Sequence, residues 1–245
     1  MFDIQAASFS NLSQLTSANL AVFNDRYLIH YTNEGEIDPQ HYHPMLWDRW
    51  SSDELVIAES WQGAEHFSIS ETHAAWIASC QTCGGISDVF YMDLATREIV
   101  HLDSTIVGNQ LSTTTWGDYV LWQDDRDGGN WSVYVHRIST AETRELIDDQ
   151  VERWYPYLRG HLLTMTSCAF SSDCATVGGD VVLFDLETEV SRRVTSTPGS
   201  YWPLYAHGDW LVYREQIVGM HKYKLFAVHM DAAGLVDATG HVVPD

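Results

Sequence analysis

A strand–turn–strand module recurs along this 245-residue chain, and no single copy can cover both of its own faces. The apolar strand after each module's first turn gives the period. It stands at residues 26–32 (RYLIHYT), 72–78 (THAAWIA), 118–124 (DYVLWQD), 161–167 (HLLTMTS) and 209–215 (DWLVYRE). The central residues Leu28, Ala75, Val120, Leu163 and Leu211 lie 47, 45, 43 and 48 residues apart. A second strand series follows at 88–94, 132–138, 181–186 and 225–230. A shorter third series closes the modules at 98–102, 144–147, 192–195 and 235–239.

Units of about 40–50 residues with this pattern stack so that neighbours bury each other's sheets. The expected fold is an all-β propeller of four-stranded antiparallel blades, with five full modules and a partial blade at the N-terminus, hence five or six blades. Residues 2–16 (FDIQAASFSNLSQLT) align without a gap on residues 133–147 (VYVHRISTAETRELI), so the chain opens on the last two strands of a blade. Either these strands complete a ring with C-terminal strands, or the chain is part of a longer repeat protein. No Pro- or Ser-rich linker interrupts the repeats, and residues 1–245 read as one domain.

Composition narrows the class further. The hydrophobic fraction is 45%, with 10 Trp, 12 Tyr and 8 Phe, a supply suited to strands. No run nears the roughly 18 apolar residues of a membrane helix. Thirteen Lys and Arg against 34 Asp and Glu give a net charge of −21. Such a surface repels phosphate backbones and anionic membranes, which excludes nucleic acid as an expected partner.

Cys80 and Cys83 (CQTC) and Cys168 and Cys174 (CAFSSDC) occupy the same turn of two modules, after the in-register strings HAAWIASC and HLLTMTSC. Paired local bridges, Cys80 to Cys83 and Cys168 to Cys174, are the favoured reading, with crossed pairings and free thiols as the alternatives. Bridges point to a periplasmic or extracellular setting. MFDIQAASF has no basic n-region and no apolar core, so no signal peptide is read in this sequence.

The string WGDYVLWQDDRDGGNWSVYVHRISTAETRELI at 116–147 resembles the TolB-type, WD40-like (PD40) propeller repeat. Gly117 and Asp118 match its first turn. Asp125, Arg126, Asp127, Gly128 and Asn130 match its Asp-rich second turn, with Gly129 extra. Val133, Tyr134 and Val135 match its aliphatic–Tyr strand. The resemblance implies a propeller and no particular partner. Asp125, Asp127 and Asn130 present alternating oxygens, but the bidentate Glu of a calcium loop is missing, so a hairpin role is favoured.

In a four-stranded blade the loops between second and third strands share one end with the blade-to-blade linkers. That end would carry Trp61, Arg153 with Trp154 and Tyr155, and Tyr201 with Trp202 as candidate ligand contacts. Their alternative role is to wedge between blades. His41 and His43 would share a face of an extended segment, but no third ligand is evident, and neither a metal nor another cofactor is expected. There is no G-x-S-x-G, P-loop, H-E-x-x-H or dinucleotide fingerprint. The inner-strand segments LSTTTWG, YPYLRG and WPLYAHG are poor in carboxylates, and FSISE offers only Glu71. The reading is a non-catalytic module that holds a protein partner on its loop-rich face. A lectin-like carbohydrate-binding propeller and a glycan hydrolase or lyase are the alternatives.

Overall fold

The computed structural model describes residues 20–33, 42–57, 65–80, 86–102, 108–126, 130–147, 149, 151–168, 179–195, 200–217 and 222–244. They belong to two compact units, Met1–Ala64 and Glu65–Asp245. No α-helix occurs among the described residues.

The first unit holds one antiparallel sheet in chain order: β1 (Leu20–Phe23), β2 (Tyr27–Asn33), β3 (Tyr42–Asp48) and β4 (Asp53–Val56). Tyr27, Leu28, Ile29 and His30 are buried in succession, as expected of a strand covered on both faces. Tyr42 and His43 open β3, so His43 does lie on an extended segment. His41 lies outside the described residues.

The β3–β4 turn is built on Asp48. Arg26 donates to its carboxylate from Nε (3.0 Å) and Nη2 (2.6 Å), and the Trp50 N–H donates at 3.0 Å. The Arg26 guanidinium also lies 4.8 Å from the ring centroids of both Tyr27 and Trp50. These hydrogen bonds, Arg26's first, hold the Asp48 carboxyl down at about 2. A carboxyl depressed on folding stabilises the fold above its unfolded value of about 3.9 and loses that contribution as pH falls through its folded value. The full shift corresponds to about 2.5 kcal/mol. Because Arg26 is 40% exposed, screening reduces the expectation to about 1 kcal/mol. Asp48→Asn is therefore expected to lose about 1 kcal/mol at pH 6 and nothing below pH 2. Urea titrations at several pH values check this, and a pH-independent deficit would contradict it.

The second unit holds four sheets. The first comprises β5 (Glu65–Ile69), β6 (His73–Cys80), β7 (Ile86–Asp93) and β8 (Ile99–Leu102). The next comprises β9 (Gln110–Trp116), β10 (Tyr119–Asp124), β11 (Ser132–Arg137) and β12 (Glu142–Glu145). Then come β13 (Arg153–Arg159), β14 (Leu162–Ser167), β15 (Asp180–Asp185) and β16 (Ser191–Arg193), and last β17 (Ser200–His207), β18 (Trp210–Gln216) and β19 (Tyr223–His229). Every pair is antiparallel and follows chain order. The first two strand series read from the sequence are the second and third strands of these sheets, and the third series supplies the fourth strand of the first three. Gly117, Gly160 and Gly208 turn the first strand into the second with φ of 55°, 62° and 54°, a conformation glycine adopts without strain.

The first strands β5, β9, β13 and β17 lie side by side, and the sheets pack through alternate residues. On β10, Val120 and Trp122 pack with Ala75 and Val89 of the preceding sheet. Leu121 faces the other way, onto Leu163 and Met165 of the following sheet. This explains why DYVLWQD shows no clean polar face.

The last sheet departs from the expected pattern. Residues 235–239 do not pair with β19. Val236 instead bridges Val242, and Leu235, Val236 and Val242 join Val181 and Leu183 in one apolar cluster. An outer edge strand would leave those side chains half in water, whereas folding back buries them. Tyr223 (49%) and Leu225 (71%) on β19 remain exposed.

Candidate functional site

The first strands of the second unit are bulged, and the bulges build the candidate surface. Irregularities fall between Glu65 and Ser68, opposite Leu121 and Gln123 in β9, between Trp154 and Tyr157, and between Pro203 and Tyr205. In three of these strands a non-glycine residue takes a left-handed conformation: His66 (φ 53°), Ser112 (φ 53°) and Tyr155 (φ 56°). Each costs about 1–3 kcal/mol and persists where its surroundings over-determine it.

Those surroundings come from the adjoining sheet. The Thr113 hydroxyl donates to the His66 carbonyl, and the Thr115 N–H donates to Ser68 Oγ at 2.8 Å. The Leu158 N–H donates to Thr114 Oγ1 at 3.0 Å. Gln123, fully buried, spans β10 and β13: its Nε2 donates to the Arg153 carbonyl (3.2 Å) and its Oε1 accepts from the Tyr155 N–H (3.0 Å).

Tyr155 is thereby turned outward, 47% exposed. Its ring centroid lies 6.2 Å from that of Trp154, which lies 5.2 Å from that of Trp131. The buried Trp154 Nε1 makes no hydrogen bond among the described residues. Arg153 is buried beside them, and its guanidinium meets Asp149 in two bonds of 2.7 Å. That pairing holds the Asp149 carboxyl below its usual range and uses the charge of Arg153 internally.

A second aromatic group forms on the last sheet. Arg214 lies 5.3 Å from the Trp202 ring and 4.6 Å from the Tyr223 ring, and the two rings meet edge to face at 6.3 Å. Tyr201 is buried as a wedge: its carbonyl accepts from Thr166 Oγ1 at 3.3 Å and its ring meets Tyr213 at 6.0 Å. Register puts Arg153 opposite Ser167 and Trp202 opposite Arg214, at the loop ends of β14 and β18. Thus Trp154, Tyr155 and Trp202 sit at the loop end, Arg153 and Tyr201 are packing residues there, and Trp61 lies outside the described residues.

Cys80 ends β6, and Cys168 follows β14, buried, its N–H donating to the Glu152 carbonyl at 2.9 Å. Cys83 and Cys174 lie outside the described residues. In the Asp-rich turn, Asp124 is the hub. It accepts from Trp122 Nε1 (3.0 Å), Gln110 Nε2 (3.3 Å), the Arg126 N–H (2.8 Å) and the Arg126 guanidinium. Asp125 accepts from the Asn109 N–H (2.6 Å) and side-chain amide (2.9 Å). These bonds give the described part of the turn a hairpin role; Asp127 lies outside the described residues.

Sequence reasoning missed Gln123 and Thr114. The available signal was a polar side chain placed inside an apolar strand, where it must find a partner.

No protein-family model matches the chain, and no curated protein sequence matches it. Solved structures do. TolB from Acinetobacter baumannii aligns with a TM-score of 0.58 at 18% identity, covering 84% of this chain and 49% of that one. The β-propeller domain of the Trilobed protease from Pyrococcus furiosus aligns at 0.58 and 11% identity, covering 86% and 68%. The fold is a β-propeller, with about five blades. A prolyl endopeptidase aligns at 0.60 and 13% identity, covering 86% of this propeller and 35% of that chain. The propeller thus spans about half the length of the TolB chain and about a third of the peptidase. At these identities the likeness carries the fold and nothing more.

Proposed function

We propose that this propeller is a non-catalytic interaction module that holds a protein partner on its loop end. Trp154, Tyr155 and Trp202 are the contacts in this reading. The observation that supports it is Tyr155, an exposed aromatic fixed in a strained left-handed conformation by a buried amide from the next sheet. Rigid aromatic anchors beside apolar neighbours lose little entropy on binding and carry a large share of interface energy. The net charge of −21 favours a basic or neutral partner. The similarity to TolB fits this reading; the similarity to a peptidase leaves a peptide-cleaving role as a competing outcome, beside the glycan-binding and glycan-cleaving ones.

The test is a displayed peptide library and a glycan array, each probed with the wild type and with Tyr155→Asn. Asparagine tolerates the left-handed backbone, so stability is expected to hold within about 0.5 kcal/mol. Enriched peptides are expected to bind the variant at least about ten-fold more weakly. Glycan signals that vanish in the variant, with no peptide enriched, would overturn the protein-partner reading in favour of the lectin one.

The same proposal places the protein in the periplasm or outside the cell, with bridges Cys80 to Cys83 and Cys168 to Cys174. It is supported by the lack of a free thiol among the described residues. Alkylation before reduction is expected to add no label to any of the four cysteines, and after reduction to label all four. Labelling of unreduced protein would remove the bridges and the compartment argument together.

A further inference from the structure

The segment that folds back after β19 brings a histidine to the opposite end of the β13–β16 sheet. Asp237 fixes the turn, its Oδ1 accepting from the Thr239 N–H (2.8 Å) and the His241 N–H (3.1 Å). Buried Leu235, Val236 and Val242 hold the flanks. His241 therefore arrives with a defined backbone at the end of β15, where Asp185 is 0% exposed. His161, next to Gly160 in the β13–β14 turn, completes the group. Its ring centroid is 4.9 Å from that of His241.

One ligand-capable atom from each of His161, Asp185 and His241 lies within 4.8 Å of the other two. We infer that these three residues bind a divalent transition-metal ion of the zinc class. Two imidazoles and one carboxylate are the donor set such ions take, and they are too few oxygens for calcium or magnesium. Ligand atoms around zinc stand about 3.3 Å apart, as bonds of about 2.0–2.1 Å require. Asp185 Oδ2 and His241 Nδ1 are already 2.8 Å apart with a proton between them, a proton that the ion replaces. His161 and His241 are partly exposed and can close the remaining distance by side-chain rotation. His161 Nε2 donates to the Gly240 carbonyl at 3.1 Å, which ties its ring to the same turn. Glu187 Oε2 lies 4.0 Å from His241 Nε2, the other nitrogen of that ring, and adds negative charge nearby.

The cluster is not simply a turn cap. Asp93, at the same place in the second unit's first sheet, caps its turn through the Ala95 and Thr96 N–H groups. Asp185 makes the same two bonds to Glu187 and Thr188, and in addition receives His241 and the Val242 N–H. The ion clamps the returning segment across the β13–β14 and β15–β16 turns. It requires nothing of the loop-end surface, so the two readings stand or fall separately.

Isothermal titration of the intact protein with zinc chloride, repeated in buffers of different ionisation enthalpy, tests this. One strong site with a dissociation constant of about 1 µM or tighter is expected, with proton release on binding. His161→Ala leaves the Asp185–His241 contact in place and is expected to weaken that site at least about ten-fold. Far-UV circular dichroism and the melting temperature without zinc verify that the variant is folded. Absence of a strong site in the wild type, or wild-type affinity in His161→Ala, would overturn the inference.

Discussion

Asp124→Ala is expected to destabilise the protein by about 4 kcal/mol, the largest single effect foreseen. The carboxylate is fully buried and receives Trp122 Nε1, Gln110 Nε2 and the Arg126 main chain and guanidinium. Truncation takes the charged acceptor away from an indole N–H, an amide and a guanidinium held over the Tyr134 ring. Removing one partner of a buried ion pair typically costs about 3–5 kcal/mol because the other charge stays behind. Asp124→Asn keeps the volume and some acceptor capacity, and is expected to lose about 2 kcal/mol, the value of charge-assisted bonds. Asp125→Ala, whose contacts to Asn109 are exposed, is expected to cost under about 1 kcal/mol. Urea unfolding of the three variants gives the order. An Asp124→Ala midpoint equal to that of Asp125→Ala would contradict the hub role.

Gln123→Leu is expected to cost about 2–3 kcal/mol although leucine nearly conserves the volume. The loss comes from two main-chain groups, the Arg153 carbonyl and the Tyr155 N–H, which give up their partner inside the protein. Each orphaned buried group costs about 1–3 kcal/mol. The substitution also frees Tyr155 from its left-handed backbone, so peptide binding at the loop end is expected to fall with stability. Tyr155→Asn separates the two effects, because it is expected to lose binding and keep stability. If Gln123→Leu weakens folding but leaves peptide affinity at the wild-type level, the amide is a structural strut and does not position the surface.

Much of the architecture was legible because its signals are local. The strand series, the glycine turns and the Asp-rich hairpin all lie within one module, where period-2 patterning and turn chemistry operate. What stayed hidden acts between modules. Gln123 and Tyr155 are 32 residues apart, and Thr113 and His66 are 47 apart. No spacing rule links them, since the partner is set by how one sheet lies on the next. The C-terminal fold-back is hidden in the sequence for a related reason. Residues 235–239 look like a closing strand, but Leu235 and Val236 are buried in one cluster with Val181 and Leu183. The aromatic candidates divided on the same principle. Tyr201 is taken up as a wedge between sheets, while Tyr155, one module earlier, is pushed outward by a bulge that composition cannot announce.

The loop end around Tyr155, and not the opposite turns, is the binding surface we propose. Hydrogen–deuterium exchange of the protein with and without a selected peptide measures this directly. Slowed exchange is predicted at residues 151–157 and 200–204, with no change at 117–118 and 160–161. Protection confined to those opposite turns, or none anywhere at saturating peptide, would contradict it.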